Sequence, residues 1–159
     1  MASSATSIEA PPKFHVLVAA DDTSSARKAV NFAAKLCQRT NNATLNVVHA
    51  IGLNPNTSSF MGALDRTNNL EIRHESQATV ESLRKLLSSY DGIVNYHLNT
   101  VEQQLPVAEI LEKLVNRDPP DLLVLGSNNR EGLQKFVLGS VSEHCLHRCK
   151  CPVTIVKDI

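Results

Sequence analysis

Short apolar, β-rich runs that alternate with amphipathic stretches constrain the fold of this chain more than any other feature of its sequence. The first run, residues 14–20, ends abruptly at two aspartates, as a strand buried on both faces does. Similar runs predict further strands at residues 44–51, 93–101, 122–125 and 152–156. Stretches with helical spacing predict helices that begin near Ala26, Val80, Val107 and Ser140. This alternation predicts an α/β fold with right-handed crossovers and a mostly parallel sheet covered by helices on both faces.

The length of 159 residues leaves room for one domain. We expect residues 1–12, which are rich in Ala, Ser and Pro, to form a disordered leader and residues 13–159 to form the domain. The segment Gly52–Asn69 contains an Asn-Pro-Asn turn signal and shows no sustained period. It therefore predicts a long surface loop.

The charge balance and the hydropathy pattern argue against two broad classes of protein. Acidic and basic residues number 16 each, so no chain-wide footprint for nucleic acid or an anionic membrane is expected. No stretch approaches the roughly 20 apolar residues that span a bilayer, and the first residues lack the basic and apolar regions of a secretory signal. We therefore expect a cytoplasmic protein that binds neither nucleic acid nor membrane and keeps its four cysteines reduced.

Polar side chains follow two of the predicted strands at the point where each strand ends. Asp21 and Asp22 come directly after the first strand, and residues 126–129, Gly-Ser-Asn-Asn, come directly after the fourth. In open parallel sheets, ligands bind beyond the carboxyl ends of the strands, where the winding reverses. If these two strands are neighbours, their polar ends flank that crevice.

The segment from Gly139 to Ser142 lies at a predicted junction between a loop and a helix. The free N–H groups and the positive end of a helix make such a junction an anion site, and glycine allows a phosphate to approach the backbone closely. A second interpretation is purely structural, because Ser140 and Glu143 fit the S-x-x-E pattern of a capping box. The local pattern leaves both interpretations open.

Taken together, these segments resemble the universal stress protein family. Its nucleotide signature is Gly, two residues, Gly, nine residues, then Gly-Ser or Gly-Thr, and the chain matches it at Gly126, at Asn129 in place of the middle glycine, and at Gly139-Ser140. The segments VLVAADDTSSARKAV and VVHAI are similar to the first two strands of the family, and CKCPVTIVK is similar to its last strand. The likeness covers residues 14–156.

The resemblance implies a Rossmann-like, five-stranded parallel sheet in the order 3-2-1-4-5 and a homodimer joined through the C-terminal strand. It also implies ATP at the switch point, with Mg²⁺ carried by the phosphates. Transferred by position, the nucleotide contacts of the family fall on Ala19, Ala20, Asp21, Ala50, Leu125, Gly126, Asn129, Gly139, Ser140, Val141 and Ser142. The first three would contact adenine and ribose, Ala50 would meet the adenine edge through its backbone, the next three would line ribose and phosphates, and the last four would hold the phosphates.

Two residues depart from the family pattern. Asn129 tolerates a positive φ better than most residues, but its side chain occupies space near the phosphates. Asp22 stands where the family often has glycine. If Asp22 caps the first helix, it disfavours a bound polyanion little, whereas an inward-pointing carboxylate lowers the affinity.

The C-terminal segment also contains the soft and borderline metal ligands His144, Cys145, His147, Cys149 and Cys151. Zinc binding and a redox-sensing thiol are therefore alternatives. However, two of the cysteines share an apolar helix face with Val141, where thiols act as small hydrophobic groups. The spacing also lacks a C-x-x-C pair. We expect no metal site here.

The sequence thus predicts an ATP-binding universal stress protein, a nucleotide-responsive stress-response dimer without strong catalytic activity. The alternative is a nucleotide-independent interaction or chaperone-like stress module in which the site is degenerate. An enzyme that transfers adenylate or hydrolyses ATP is the weakest interpretation, since neither Ser-Gly-Gly-x-Asp-Ser nor His-x-Gly-His, the motifs of adenylating relatives, occurs. At most, slow ATP hydrolysis is expected. No residue stands out as a general base.

Overall fold

Strands and helices alternate along the whole described chain. The computed structural model describes residues 13–55, 60–127 and 138–157. Their order is β1 (Phe14–Ala19), α1 (Ser24–Arg39), β2 (Ala43–Gly52), α2 (Phe60–Ser88), β3 (Tyr96–Gln103), α3 (Val107–Arg117), β4 (Leu122–Gly126), α4 (Ser140–Arg148) and β5 (Val153–Val156). Within this part of the chain, no helix is long and apolar enough to cross a lipid bilayer.

The five strands form one parallel sheet in the order β3-β2-β1-β4-β5, which confirms the predicted fold. β1 lies at the centre, where Val18 is in register with Val47 of β2 and with Val124 of β4. The sheet first grows from β1 through β2 to β3 and then from β4 to β5 on the other side. The winding therefore reverses between the carboxyl ends of β1 and β4, where open sheets of this kind bind ligands.

Alternate residues of the central strands are buried against opposite layers of helices. Val16 and Val18 pack with Val30 of α1 and Leu83 of α2 in one cluster. Leu17 faces the other side, where the second cluster includes residues of α3 and α4. β1 is therefore buried on both faces, as its continuous apolar run predicts.

The predicted surface loop at Gly52–Asn69 is wrong for its second half, because α2 already begins at Phe60. The first turns of α2 show no apolar period, since they cover little of the core: Leu64 and Leu70 are 50% and 66% exposed. Polar contacts hold this part of the helix instead. The Asn69 side chain accepts from the Asn54 N–H at 2.8 Å and donates to the Asn54 carbonyl at 3.1 Å.

The predicted start of β3 at Ile93 is also wrong. Residues 91–94 continue the turn that follows α2, where Gly92 has a φ of +72° and the Ile93 N–H bonds to the Tyr90 carbonyl. Ile93 is 55% exposed. Its apolar side chain therefore belongs to the turn, and pairing with β2 begins with Tyr96, which is in register with Leu45. The predicted leader, residues 1–12, and residues 56–59 of the predicted loop lie outside the described residues.

Candidate functional site

A cleft opens at the carboxyl ends of β1, β2 and β4, at the switch point of the sheet. It has a volume of about 630 Å³, part of it open to solvent. Its lining consists of Ala19, Ala20, Asp21, Thr23, Ser25, Ala26, Val48, Ala50, Val107, Leu111, Leu125, Gly126, Gly139, Ser140, Val141 and Ser142. The structure thus places every residue of the expected nucleotide set around this cleft except Asn129, which lies outside the described residues.

Val48 of β2 and two groups of helix residues line the cleft but are absent from the set that the sequence predicts. Thr23, Ser25 and Ala26 belong to the start of α1, and Val107 and Leu111 belong to α3. Both groups of helix residues could be predicted from the order of strands and helices. In a parallel sheet, each helix that follows a strand begins at the carboxyl edge, so the amino ends of α1, α3 and α4 converge on the same cleft.

One wall of the cleft is aliphatic. β2 contributes Val48 and Ala50, and β4 contributes Leu125, which is 3% exposed. The remaining members, from α3 and α4, are Val107, Leu111 and Val141. This wall offers apolar contact to a flat or aliphatic group.

The turn after β1 places one carboxylate at the cleft. Oδ1 of Asp21 accepts hydrogen bonds from the N–H of Thr23, 3.0 Å away, and from its hydroxyl. Oγ1 of Thr23 in turn accepts from the N–H of Ala26 at 3.2 Å and caps α1. Among the described residues that line the cleft, Asp21 is the one with a charged side chain.

Asp22 neither caps α1 nor points into the cleft, so the structure answers the question that the sequence leaves open. Thr23 is the capping residue. The carboxylate of Asp22 accepts a hydrogen bond from the hydroxyl of Ser82 on α2 at 2.9 Å and lies 3.6 Å from Nη1 of Arg27. The second aspartate is therefore directed towards α2.

Buried polar contacts fix the ends of the central strands around the cleft. Nδ1 of His49 lies 2.9 Å from the carbonyl oxygen of Ala20, and His49 is 9% exposed. Because a carbonyl oxygen accepts, Nδ1 carries the proton and donates. A Cβ on Gly126 would lie 2.5 Å from the carbonyl carbon of Ser25, so the first glycine of the signature allows the start of α1 to pack against β4.

The amino end of α4 is capped by a glycine. Gly139 is the N-cap residue, with φ −68° and ψ 154°, and no side chain bonds to this end within the described residues. The first intrahelical bond runs from the N–H of Glu143 to the carbonyl of Gly139 at 2.9 Å. The capping-box interpretation is therefore wrong, since Ser140 is already the first helical residue. The N–H groups of residues 139–142 precede the first helical bond, and these residues line the cleft.

The hydroxyl of Ser142 has a structural partner. It donates to the carbonyl of Gly126 at 3.1 Å, and Ser142 is 5% exposed. A hydroxyl has one proton to donate. This hydroxyl therefore joins α4 to the end of β4, and the backbone N–H of Ser142 is the donor that remains for the cleft.

The cysteines of the C-terminal segment lie in apolar surroundings. Burial raises the pKa of the Cys145 thiol to about 12, and burial also raises the pKa of Cys149 and of Cys151. These thiols therefore stay protonated at neutral pH, which disfavours both a thiolate metal ligand and a reactive redox thiol. In the part of the chain that the structure describes, no group of three or more His, Cys, Asp or Glu side chains is placed to hold a metal ion.

Fold and cleft define the chain as an open, parallel α/β protein with a ligand cleft at the topological switch point. The family model described as "Universal stress protein family" matches residues 14–157. The chain belongs to the universal stress protein family.

Two curated relatives carry the same family name. A universal stress protein of Methanocaldococcus jannaschii is 30% identical over 86 residues, which are 54% of this chain and 48% of the relative, so this match spans about half of the relative's length. A putative universal stress protein of Staphylococcus epidermidis is 27% identical over 143 residues, which cover 90% of this chain and 83% of the relative.

Solved structures share the fold at low sequence identity. Universal stress protein UspA from Lactobacillus plantarum superposes with a TM-score of 0.75 at 18% identity and covers 92% of this chain and 99% of its own. An Arabidopsis thaliana family member with AMP bound has a TM-score of 0.61 at 19% identity and covers 91% of each chain. The Archaeoglobus fulgidus protein in complex with dAMP has a TM-score of 0.57 at 14% identity and covers 92% of this chain and 98% of its own.

Proposed function

We propose that this chain binds an adenine nucleotide, ATP with Mg²⁺ carried by its phosphates, in the cleft at the switch point. In this proposal it is a nucleotide-responsive stress-response protein without strong catalytic activity. The observation that carries the proposal is the amino end of α4. Its glycine N-cap and first N–H groups lie at the same cleft as the aliphatic wall and Asp21. Two structural neighbours contain AMP and dAMP, which supports the choice of ligand.

Each part of the cleft suits one part of a nucleotide. Backbone N–H groups at a helix start bind phosphate oxygens, and the helix dipole favours the negative charge. The aliphatic wall would pack against the base, and Asp21 would accept a hydrogen bond from a ribose hydroxyl. Both bonds from Thr23 go to Oδ1 of Asp21, so Oδ2 would be the acceptor.

Assembly and location complete the proposal. β5 is an edge strand of the sheet, and all four of its residues are half-buried. An open edge with apolar side chains invites pairing with another strand, and a two-fold axis closes such pairing without further growth. We therefore include in the proposal a homodimer joined through β5, and we further propose a cytoplasmic location.

The experiment begins with the purified full chain. Nucleotide released by denaturation is identified by mass, and ATP with Mg²⁺ and AMP are then titrated calorimetrically into nucleotide-free protein. Gly139→Val should abolish binding and leave the fold intact, because φ −68° and ψ 154° suit any residue and the added side chain would occupy the phosphate position. Asn41→Val is the control, because Asn41 lies on an exposed turn directly before β2, at the amino ends of the strands and away from the cleft.

Two outcomes separate the proposal from its alternative. Binding by wild type and by the control, with loss in Gly139→Val, supports the nucleotide site. Wild-type protein that gives no heat and no thermal stabilisation at millimolar ATP would favour the nucleotide-independent interaction module.

A further inference from the structure

We propose that Asp22, Arg27 and Ser82 form a charge clasp that lets the cleft accept ligands with several phosphates. This inference rests on the proposed function and concerns the specificity of the same site. It starts from the two consecutive aspartates after β1, one of which lines the cleft while the other does not.

The described lining of the cleft carries one negative charge and no compensating positive side chain. That charge belongs to Asp21. A second carboxylate one residue further along would double the negative charge if it faced the same way. Each phosphate added to a ligand adds about one negative charge to the roughly two of a monoester. Repulsion from a second carboxylate would therefore disfavour a triphosphate more than a monophosphate.

The clasp holds this second carboxylate on the other side of the turn. Nη1 of Arg27 donates to Oγ of Ser82 at 2.7 Å, and the hydroxyl of Ser82 donates to Oδ1 of Asp22 at 2.9 Å. The guanidinium also lies 3.6 Å from the same carboxylate oxygen. Ser82 thus acts as acceptor and donor at once, and the Asp22 charge is both directed towards α2 and paired with Arg27.

Stability alone gives a weak reason for this arrangement. The side chains of Arg27 and Asp22 are 41% and 58% exposed, and exposed ion pairs contribute little to folding. Their effect on a nearby anion is different in kind, because it depends on the charge of the ligand and on the ionic strength. This dependence gives the clasp a signature that a structural contact lacks.

The test compares adenosine, AMP and ATP, titrated without divalent cations at low ionic strength. In Arg27→Gln, we expect the affinity for ATP to fall about three- to tenfold, the affinity for AMP to fall less than about twofold, and the affinity for adenosine to stay unchanged. Asp22→Asn combined with Arg27→Gln should restore ATP binding, because it removes the carboxylate that Arg27 neutralises. In about 0.5 M salt, Arg27→Gln should change the affinities for ATP, AMP and adenosine by the same small factor, because salt screens the charges.

Further variants locate the effect. Ser82→Ala should weaken the binding of ATP more than the binding of AMP. Ser82→Thr should retain wild-type binding, since the threonine hydroxyl can make the same two hydrogen bonds. Lys35→Gln is the matched control. It also removes one positive charge from α1, but at a position two turns further along the helix and distant from the turn after β1. It should leave all three affinities unchanged.

The outcomes separate this inference from the proposed function. One outcome is that wild type binds ATP and Arg27→Gln lowers the ATP affinity by the same factor with and without Asp22→Asn. In that case Arg27 acts on the phosphates directly and the clasp is wrong. Equal losses for AMP and ATP would also overturn it. If wild type binds none of the three ligands, the proposed function fails first, and the inference fails with it.

Discussion

The hydroxyl of Ser142, in the first turn of α4, donates a hydrogen bond to the carbonyl of Gly126, the last residue of β4, 3.1 Å away. This bond joins the two sides of the cleft at the point where the sheet changes its winding direction. Ser140 lies two residues earlier and is exposed at the cleft. The two serines of one helical turn therefore have separable roles.

Ser142→Ala should destabilise the protein by about 0.5–1.5 kcal/mol, because it removes the hydrogen bond from the buried Ser142 side chain to the half-buried Gly126 carbonyl. Nucleotide affinity should fall little, since the backbone N–H of residue 142 remains. Urea unfolding and calorimetric titration of the same sample measure the two effects. A large loss of affinity at unchanged stability would show that this hydroxyl binds the ligand instead.

Ser140→Ala should show the opposite pattern. Ser140 is the first residue of α4 and not its cap, so the free energy of unfolding should change by less than about 0.5 kcal/mol. If its hydroxyl donates to a phosphate, affinity for ATP should fall about 10- to 150-fold. Loss of stability without loss of affinity would contradict this assignment.

Most strands could be predicted because they depend on local signals, whereas the residues of the site followed from the resemblance to the family signature. The apolar run of β1 and the glycine and serine spacing around α4 are visible in the sequence. The start of α2 could not be predicted in this way, because Asn69 holds it through the backbone of Asn54 and no apolar stripe marks it. The direction of Asp22 depends on Ser82, 60 residues away, which no local pattern contains.

Asn69→Ala should destabilise the protein by about 1–2 kcal/mol, because both bonds to the Asn54 backbone are lost and Asn69 is buried. Asn68→Ala, one residue earlier and exposed, is the control and should change stability by less than about 0.5 kcal/mol. Hydrogen exchange should quicken selectively in residues 60–72 of the Asn69 variant. Equal exchange rates in both variants would mean that the two hydrogen bonds between Asn69 and Asn54 do not hold the start of α2.

The buried thiols should make the protein less stable at alkaline pH. Burial raises the pKa of Cys37 to about 11 and that of Cys145 to about 12. An unfolded thiol has a pKa of about 8.5. Because the folded pKa is the higher one, the contribution of each thiol is full below pH 8.5 and is lost progressively between that pH and the folded pKa.

Between pH 9 and pH 10.5, each thiol should lower the free energy of unfolding by up to about 1 kcal/mol per pH unit. Urea unfolding over this range measures the slope. Cys145→Ala should be less stable than wild type at neutral pH and should show a shallower slope. If this substitution leaves the slope unchanged, groups other than Cys145 cause the loss of stability at alkaline pH.

The proposed dimer can be tested through the backbone of β5. The N–H groups of Leu123 and Ser127 bond to the carbonyls of Pro152, just before β5, and of Val156, so these two carbonyls point towards β4. Because a residue in a parallel strand directs its N–H and carbonyl to the same side, Ile155 directs both to the open edge. Ile155→Pro should therefore remove a donor from the open edge and leave the pairing with β4 intact.

If two copies pair through this edge, wild type should sediment as a dimer at micromolar concentration and Ile155→Pro as a folded monomer. Ile155→Val is the matched control, because it keeps the N–H and most of the side chain that packs against the second core cluster. It should remain dimeric. The result that counts against β5 pairing is a wild-type monomer, or a Ile155→Pro variant that is still a dimer with its circular dichroism unchanged.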